Sequence, residues 1–106
     1  MEVFRQEDGD GAAFFTLHQD GEEFSGICTV TTEGQTGKIV GMKVYPSGQG
    51  KGSMLLEAAL NWLKSLGMKK ARLHPAADEG HEEDLERFYG RHGFQRTGEE
   101  SMEKDL

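Results

Sequence analysis

The sequence has little cysteine, few basic residues and no long apolar run, and each shortage excludes a class of protein. Cys28 is the only cysteine among 106 residues, so no disulfide can form within the chain, which suits a reducing cytoplasm. No apolar stretch approaches the roughly 18 residues that a membrane span needs. The first residues, M-E-V-F-R-Q-E-D, have no secretory character. We therefore expect a soluble, cytoplasmic protein that does not enter a membrane.

Basic side chains are outnumbered by acidic ones. The chain has 12 Lys and Arg against 19 Asp and Glu, a formal net charge of −7. Direct nucleic-acid binding is not expected, because phosphate contacts need a basic surface. The histidines at positions 18, 74, 81 and 92 show no ligand spacing with Cys28, so no metal site is expected. The length predicts a single domain over residues 1–106.

The first 46 residues are typical of short β-strands separated by tight turns. Asp-Gly pairs suit hairpins, because both residues tolerate the backbone angles that such turns require. In the segment K-I-V-G-M-K-V, strict alternation places Val40, Met42 and Val44 on one face of a strand. Three or four antiparallel strands in succession are therefore predicted, with turns near 8–11, 20–21 and 33–37.

The pattern changes after Pro46. A glycine-rich loop, S-G-Q-G-K-G-S (47–53), leads into a segment whose apolar residues recur at helical spacing (54–67). A short strand, a second helix and two short strands that turn at Gly98 are predicted for residues 69–74, 82–92 and the tail. This order of elements predicts an α+β fold, in which helices flank a mixed, mostly antiparallel sheet.

A glycine-rich turn between a strand and a helix can hold an anion, because it exposes backbone N–H groups at the positive end of the helix dipole. Two phosphate-binding motifs do not fit this loop. A P-loop would need glycine in place of Tyr45 and Ser or Thr in place of Gly52, and the dinucleotide fingerprint would need glycine in place of Ser53. Two interpretations of the loop remain, a third phosphate-binding motif and a plain glycine-rich connection between a strand and a helix.

The third motif is the acyl-CoA loop of the GNAT superfamily of N-acetyltransferases, which this sequence resembles. That family has a strand ending in valine, a loop Arg/Gln-x-x-Gly-x-Gly/Ala, and a helix that begins small-x-Leu-Leu. The chain has Val44, S-G-Q-G-K-G (47–52) and S-M-L-L (53–56). Downstream, L-E-R-F-Y-G-R-H-G-F (85–94) resembles the family segment A-x-x-(Phe/Leu)-Tyr-x-x-x-Gly-Phe. The resemblance covers about residues 24–106 and implies an acyl-CoA N-acyltransferase-like fold.

The sequence departs from the family pattern in two places. Ser47 stands where the family has Arg or Gln, and reading Gln49 at that position instead would misplace Leu55 and Leu56 by two residues. The family's usual first two helices are missing, and a turn near 8–11 replaces them. Because those helices usually wall the acceptor side, the resemblance implies an acceptor site that is open or completed by a second subunit in a homodimer.

The resemblance implies an acetyl-CoA-dependent N-acetyltransferase that needs no metal and transfers the acetyl group directly to a primary amine. The amine could belong to a small molecule or to a protein lysine. One strand edge would pair with the pantetheine arm of acetyl-CoA, and the loop amides would hold its pyrophosphate. Lys43 and Lys51 could screen the phosphates or simply be solvated. The implied donor-binding residues are Met42, Lys43, Val44, Gly48, Gln49, Gly50, Lys51, Gly52 and Ser53.

Tyr89 matches the family tyrosine that protonates the CoA thiolate, although Phe88 and Tyr89 could simply pack the helix. His74, at a strand end, suits deprotonation of an ammonium group, and a surface histidine would fit there equally well. Other candidate bases are Glu33, Asp78, Glu79, Glu82 and Glu83. Beside the acceptor site, the acidic loop would attract a cationic amine.

Two other functions remain open. A non-catalytic module of the same fold could bind acyl-CoA and regulate a protein partner. A small structural interaction domain would have no affinity for CoA at all. The Tyr89→Phe substitution separates the enzyme from the first alternative, because only an enzyme has turnover to lose.

Overall fold

The computed structural model describes residues 2–19, 23–44, 50–74, 82–98 and 101–106. In chain order they form β1 (Glu2–Glu7), β2 (Ala12–Gln19), β3 (Glu23–Glu33), β4 (Thr36–Val44), α1 (Lys51–Ser65), β5 (Lys70–Leu73), α2 (Glu82–Arg91), β6 (Gln95–Arg96) and β7 (Met102–Asp105). No helix within these ranges is long and apolar enough to cross a membrane.

The strands form one sheet in the order β1-β2-β3-β4-β5-β7-β6. Strands β4 and β5 are parallel, and every other neighbouring pair is antiparallel. Helix α1 makes the crossover that a parallel pair requires. The predicted α+β class, with a mixed and mostly antiparallel sheet, is confirmed, as is the prediction of three or four successive antiparallel strands, of which the structure has four.

The β1–β2 and β3–β4 turns lie where the glycine pairs predicted them. Gly9, Gly11 and Gly34 have φ of 88°, 80° and 60°, in the left-handed region that glycine adopts at little cost. The Asp8 carboxylate accepts the backbone N–H of Asp10 at 2.8 Å and stabilises the first turn. A short turn therefore joins β1 to β2 where the family pattern has two helices. The turn predicted at 20–21 lies outside the described residues.

Strand β4 contains a β-bulge that breaks the predicted alternation. Residues 29–30 of β3 lie opposite Gly41 and Ile39, so Val40 is the extra residue. Ile39 is 6% exposed, whereas Val40 is 63% exposed. The prediction that Val40 shares a face with Met42 is therefore wrong, because the extra residue reverses the alternation at that point.

Helix α1 begins at Lys51 rather than at 54, so Gly52 and Ser53 lie in its first turn and not in the preceding loop. It packs across β2, β3 and β4 with the buried face that its apolar spacing predicted, except for Leu66 just after the helix, which is exposed. The core residues are Ala13, Phe15, Leu17, Cys28, Val30, Ile39, Leu55, Leu56, Ala59, Leu60, Trp62, Leu63, Ala71, Leu73, Tyr89, Phe94 and Met102.

Candidate active site

Strands β4 and β5 pair over only part of β4. The parallel ladder joins 36–39 to 70–73, and its last pair is Ile39 with Leu73. Beyond that pair, residues 41–44 pair with β3 on one side, and no described strand pairs with their other side. A bulge bends its strand and increases the local twist, which accounts for the divergence at Val40. The result is an open strand edge with backbone groups available to a ligand.

A cavity of about 600 Å³ occupies the opening between the diverging strands. The open edge of β4, the N-terminus of α1, the end of β5 and one face of α2 form its walls. The lining residues are Ile27, Thr29, Ile39, Val40, Gly41, Met42, Lys43, Val44, Gly50, Gly52, Ser53, Leu73, His74, Leu85, Phe88, Tyr89 and Arg91.

The N-terminus of α1 opens into this cavity. Gly50 precedes the first helical residue with φ 73° and ψ 7°, a left-handed conformation that favours glycine. Within the described chain no side chain caps the helix, and its first turn holds no acidic residue. The first N–H groups of a helix have no partner within the helix. This end of α1 can therefore receive an anionic group.

Gly52 allows close contact between α1, α2 and β4. A Cβ atom at this position would lie 3.2 Å from Cζ of Phe88 and 3.7 Å from Cε of Met42. The first of these distances is tighter than ordinary van der Waals contact. Glycine here permits the close approach of Phe88, and a Cβ would require that ring to shift by a few tenths of an ångström.

Tyr89 lies on α2 with its ring in the core and on the cavity wall, 7% exposed. Its ring meets those of Phe88 and Phe94 edge-on, with centroids 5.1 Å and 5.8 Å away. Burial, with a smaller contribution from Cys28, raises the pKa of Tyr89 to about 12. The phenol therefore stays protonated at neutral pH. Tyr89 therefore packs the helix and also lines the cavity, and its role as the proton donor stays a prediction.

His74 follows the last residue of β5, is exposed, and lines the cavity. Glu33 is not among the lining residues. Its carboxylate accepts a hydrogen bond from the Lys38 ammonium at 2.6 Å. That bond and the charge of Lys38 lower the pKa of Glu33, which makes it a weaker base. Of the candidate bases whose side chains the structure describes, His74 is the one that lines the cavity, and its role in proton transfer stays a prediction.

The remaining acidic candidates are not placed by the structure. Asp78 and Glu79 lie outside the described residues, and only the backbone is described for Glu82 and Glu83. No group of three His, Cys, Asp or Glu residues that could hold a metal ion occurs in the described part of the chain.

Most of the donor-binding residues implied by the resemblance meet at this cavity. The lining includes Met42, Lys43, Val44, Gly50, Gly52 and Ser53. Gly48 and Gln49 lie outside the described residues. Lys51 is fully buried and is not a lining residue, so the alternative of a solvated Lys51 side chain is wrong. Its role towards the phosphates stays a prediction.

His92 and Glu57 were missed by the sequence interpretation. Nε2 of His92 lies 2.9 Å from Oγ of Ser53, and Nδ1 of the same ring lies 3.6 Å from Oε1 of Glu57. Ser53 and Glu57 are four residues apart, a spacing that places them on one helix face. That spacing was a usable signal on α1. Their contact with a residue just after α2 depends on how the two helices pack.

The chain matches the profile of the acetyltransferase (GNAT) family over residues 1–94. No curated protein sequence shows significant similarity to it. Solved structures are similar in fold. The PaiA N-acetyltransferase from Thermoplasma acidophilum in complex with coenzyme A has a TM-score of 0.76 and 20% identity, covering 91% of this chain and 62% of that chain.

Two further structures show the same fold. The IAA acetyltransferase from Bacillus cereus has a TM-score of 0.75 and 20% identity, covering 91% of this chain and 79% of that one. The ribosomal-protein-S18-alanine N-acetyltransferase from Escherichia coli has a TM-score of 0.74 and 22% identity, covering 93% and 72%. The profile match over most of the sequence, on a fold shared with these enzymes, shows that the chain belongs to the GNAT acetyltransferase family.

Proposed function

We propose that this protein is an acetyl-CoA-dependent N-acetyltransferase that transfers the acetyl group directly to a primary amine in the cytoplasm. The observation that carries the proposal is the combination, in one cavity, of the open edge of β4, the N-terminus of α1 and the Tyr89 phenol. Each feature suits a different part of an acyl-CoA molecule, and family membership makes acyl transfer the expected chemistry.

The donor would lie along the diverging strands. The amide groups of the pantetheine arm would pair with residues 41–44 as an added strand pairs with a sheet edge. The pyrophosphate would lie against the N-terminus of α1, where Gly50, Gly52 and Ser53 line the cavity. Gly48 and Gln49 would extend this cradle, and the exposed Lys43 would screen the phosphate charge.

The reaction would proceed by attack of the neutral amine on the thioester carbonyl. A C–N bond forms, and the carbonyl oxygen takes up negative charge that a backbone N–H of residues 42–44 would stabilise. The C–S bond then breaks, and Tyr89 would donate its phenolic proton to the departing thiolate. His74 would remove the proton from the incoming ammonium, directly or through water.

The acceptor side of the cavity would be open, because a short turn joins β1 to β2 where the family pattern has two helices. An open approach admits a lysine on the surface of a protein as well as a small amine. The net charge of −7 would attract a cationic acceptor of either kind. A homodimer could close this side with residues of the second subunit.

Calorimetric titration with acetyl-CoA and CoA tests the donor site. Gly50→Glu places a carboxylate at the N-terminus of α1 and should abolish binding through charge repulsion. Gly9→Glu is the matched control, because Gly9 also has a positive φ and space around it but lies in the remote β1–β2 turn. The control variant should bind like the wild type.

Release of CoA, followed with a thiol reagent, then tests turnover on small amines and on lysine-containing peptides. Release that depends on an amine supports the enzyme. Binding with no release on any amine would favour the non-catalytic acyl-CoA-binding module. Failure of the folded wild-type protein to bind either nucleotide would refute both.

A further inference from the structure

A chain of polar side chains crosses the contact between α1 and the end of α2. It starts at Ser53 on the cavity wall, continues through the His92 ring at an Oγ–Nε2 distance of 2.9 Å, and ends at Glu57. The His92 side chain is 14% exposed and the Glu57 side chain 65%. The imidazole thereby links the cavity to a neighbouring surface depression that Glu57 and His92 line.

We propose that His92 is a positioning residue for the donor, which takes up a proton when a pyrophosphate group binds at the N-terminus of α1 and thereby turns the Ser53 hydroxyl towards that group. The inference rests on the proposed function in one respect only, that the donor's pyrophosphate lies beside Ser53.

The His92 ring is held in place from several directions. Its centroid lies 5.0 Å from that of Phe88. The backbone N–H of His92 donates to the carbonyl of Tyr89 at 3.0 Å, and the Lys104 ammonium donates to the carbonyl of His92 at 2.7 Å. A backbone fixed at both its polar groups keeps Nε2 directed at Ser53.

In the neutral ring, one tautomer suits both neighbours. With the hydrogen on Nδ1, the ring points an N–H towards the Glu57 carboxylate, and Nε2 accepts the hydrogen of the Ser53 hydroxyl. The hydroxyl then presents only lone pairs to the cavity, and these repel a phosphate oxygen. The other tautomer would turn the Nδ1 lone pair towards the carboxylate of Glu57.

Protonation of the ring reverses the direction of the Ser53 hydrogen bond. Nε2–H now donates to Oγ, and the hydroxyl hydrogen is free to point into the cavity. A phosphate oxygen there accepts this hydrogen and also gains the attraction of the imidazolium charge. Donor binding and proton uptake by His92 are therefore coupled, and each favours the other.

Four other charged groups face the same region. Glu57 and Lys64 of α1, Arg91 of α2 and Lys104 of β7 line a depression with His92. Glu57 favours the added proton and the three cations oppose it. Carboxylate, ammonium and guanidinium groups have reference pKa values outside the range from about pH 6 to 8, whereas histidine side chains change charge in this range. A pH dependence of donor binding in this range therefore reports on imidazole.

The test is calorimetric titration with 3′-dephospho-CoA, whose pyrophosphate stays ionised through the range, unlike the 3′-phosphomonoester of CoA. Binding is measured at about pH 6, 7 and 8, in two buffers of different ionisation enthalpy, so that the protons taken up are counted. For the wild type we expect net proton uptake and binding about two- to tenfold tighter at the lowest pH than at the highest.

Two variants test whether the proton is taken up at the contact between Ser53 and His92. His92→Gln offers Ser53 an amide N–H at every pH, so the protein should still bind but take up no proton. Ser53→Ala should weaken binding about two- to tenfold at low pH, with little effect at high pH. At high pH the double variant should bind like Ser53→Ala, and at low pH it should bind more weakly, because it also lacks the attraction of the imidazolium charge. His18→Gln, a histidine of β2 beside Thr16, is the control and should keep the wild-type profile.

The outcomes separate this inference from the proposed function. If 3′-dephospho-CoA binds with no proton uptake, or if His92→Gln keeps the full uptake, the role of His92 is refuted while the donor site stands. If the folded wild-type protein binds no 3′-dephospho-CoA, the donor site and the role of His92 are refuted together.

Discussion

Ile39 and Leu73 form the last pair of the parallel β4–β5 ladder, and the two strands diverge immediately beyond them. Val40, the next residue of β4, is the extra residue of a bulge. The bulge bends the strand where the ladder ends. Beyond this point β4 has no strand partner on the β5 side, and the cavity lies between the diverging strands. The unpaired edge of β4 lies beside the N-terminus of α1.

Tyr89→Phe should lower kcat for acetyl transfer by about tenfold or more, because the variant loses a general acid. The KM for acetyl-CoA should change little, since the ring contacts with Phe88 and Phe94 are kept. Steady-state kinetics with saturating amine measure both constants. An unchanged kcat would show that another group protonates the thiolate, and thermal unfolding checks that the variant is folded.

His74→Gln should lower kcat by about tenfold or more if the imidazole removes the proton of the ammonium. Histidine side chains change charge between about pH 5 and 8, so the activity of the wild type should rise over this range. The variant should show a weaker rise on the same amine. A variant as active as the wild type would leave deprotonation to water or to another residue.

Gly52→Ala should weaken acetyl-CoA binding, because its Cβ would lie 3.2 Å from Cζ of Phe88 and displace that ring on the cavity wall. Gly90→Ala is the matched control, since Gly90 also lies within a helix but has nothing within 4 Å of the added Cβ. The control should keep its affinity and gain about 1 kcal/mol in stability from helix propensity. Equal affinities in both variants would contradict the role of Gly52.

Alkaline pH should destabilise the protein through two buried groups. Burial raises the pKa of the Cys28 thiol from 9.0 to about 12 and that of Tyr89 from 10.0 to about 12. A raised pKa in the folded state means that unfolded chains lose their protons first. The stability that these neutral groups contribute is complete below the unfolded pKa values and is lost as the pH rises towards the folded ones.

Urea unfolding at about pH 8 and about pH 10 should therefore show a lower free energy of unfolding at the higher pH, by about 1 kcal/mol or more. In Cys28→Ala this loss should be smaller, because one of the two groups is gone. Equal losses in the wild type and the variant would show that the thiol is not coupled to folding.

Much of the fold could be predicted from local signals. Glycine in left-handed turns separates β1 from β2 and β3 from β4, and the apolar spacing after Pro46 predicts α1. Such signals depend on residues close in the sequence and on backbone preferences that act locally. The bounds of α1 were less accurate, because Gly52 and Ser53 are weak helix formers that the helix start nevertheless includes.

The candidate site, too, could be predicted from the sequence only in part. The two motifs and their separation determined the family, the position of the glycines before α1, and Tyr89 on α2. The bulge at Val40 could not be read from K-I-V-G-M-K-V, since it depends on the register with β3. The burial of Lys51 likewise depends on what the rest of the chain places around it.

The sequence by itself thus determined which residues turn, which form helices and which carry the acyl-CoA pattern. Only the tertiary structure decided where β4 leaves β5, and that Ser53 meets His92, 39 positions away along the chain. The physical reason is the range of the interactions involved. Turn and helix preferences act between near neighbours, whereas a strand's divergence and a contact between two helices depend on the register and packing of distant segments.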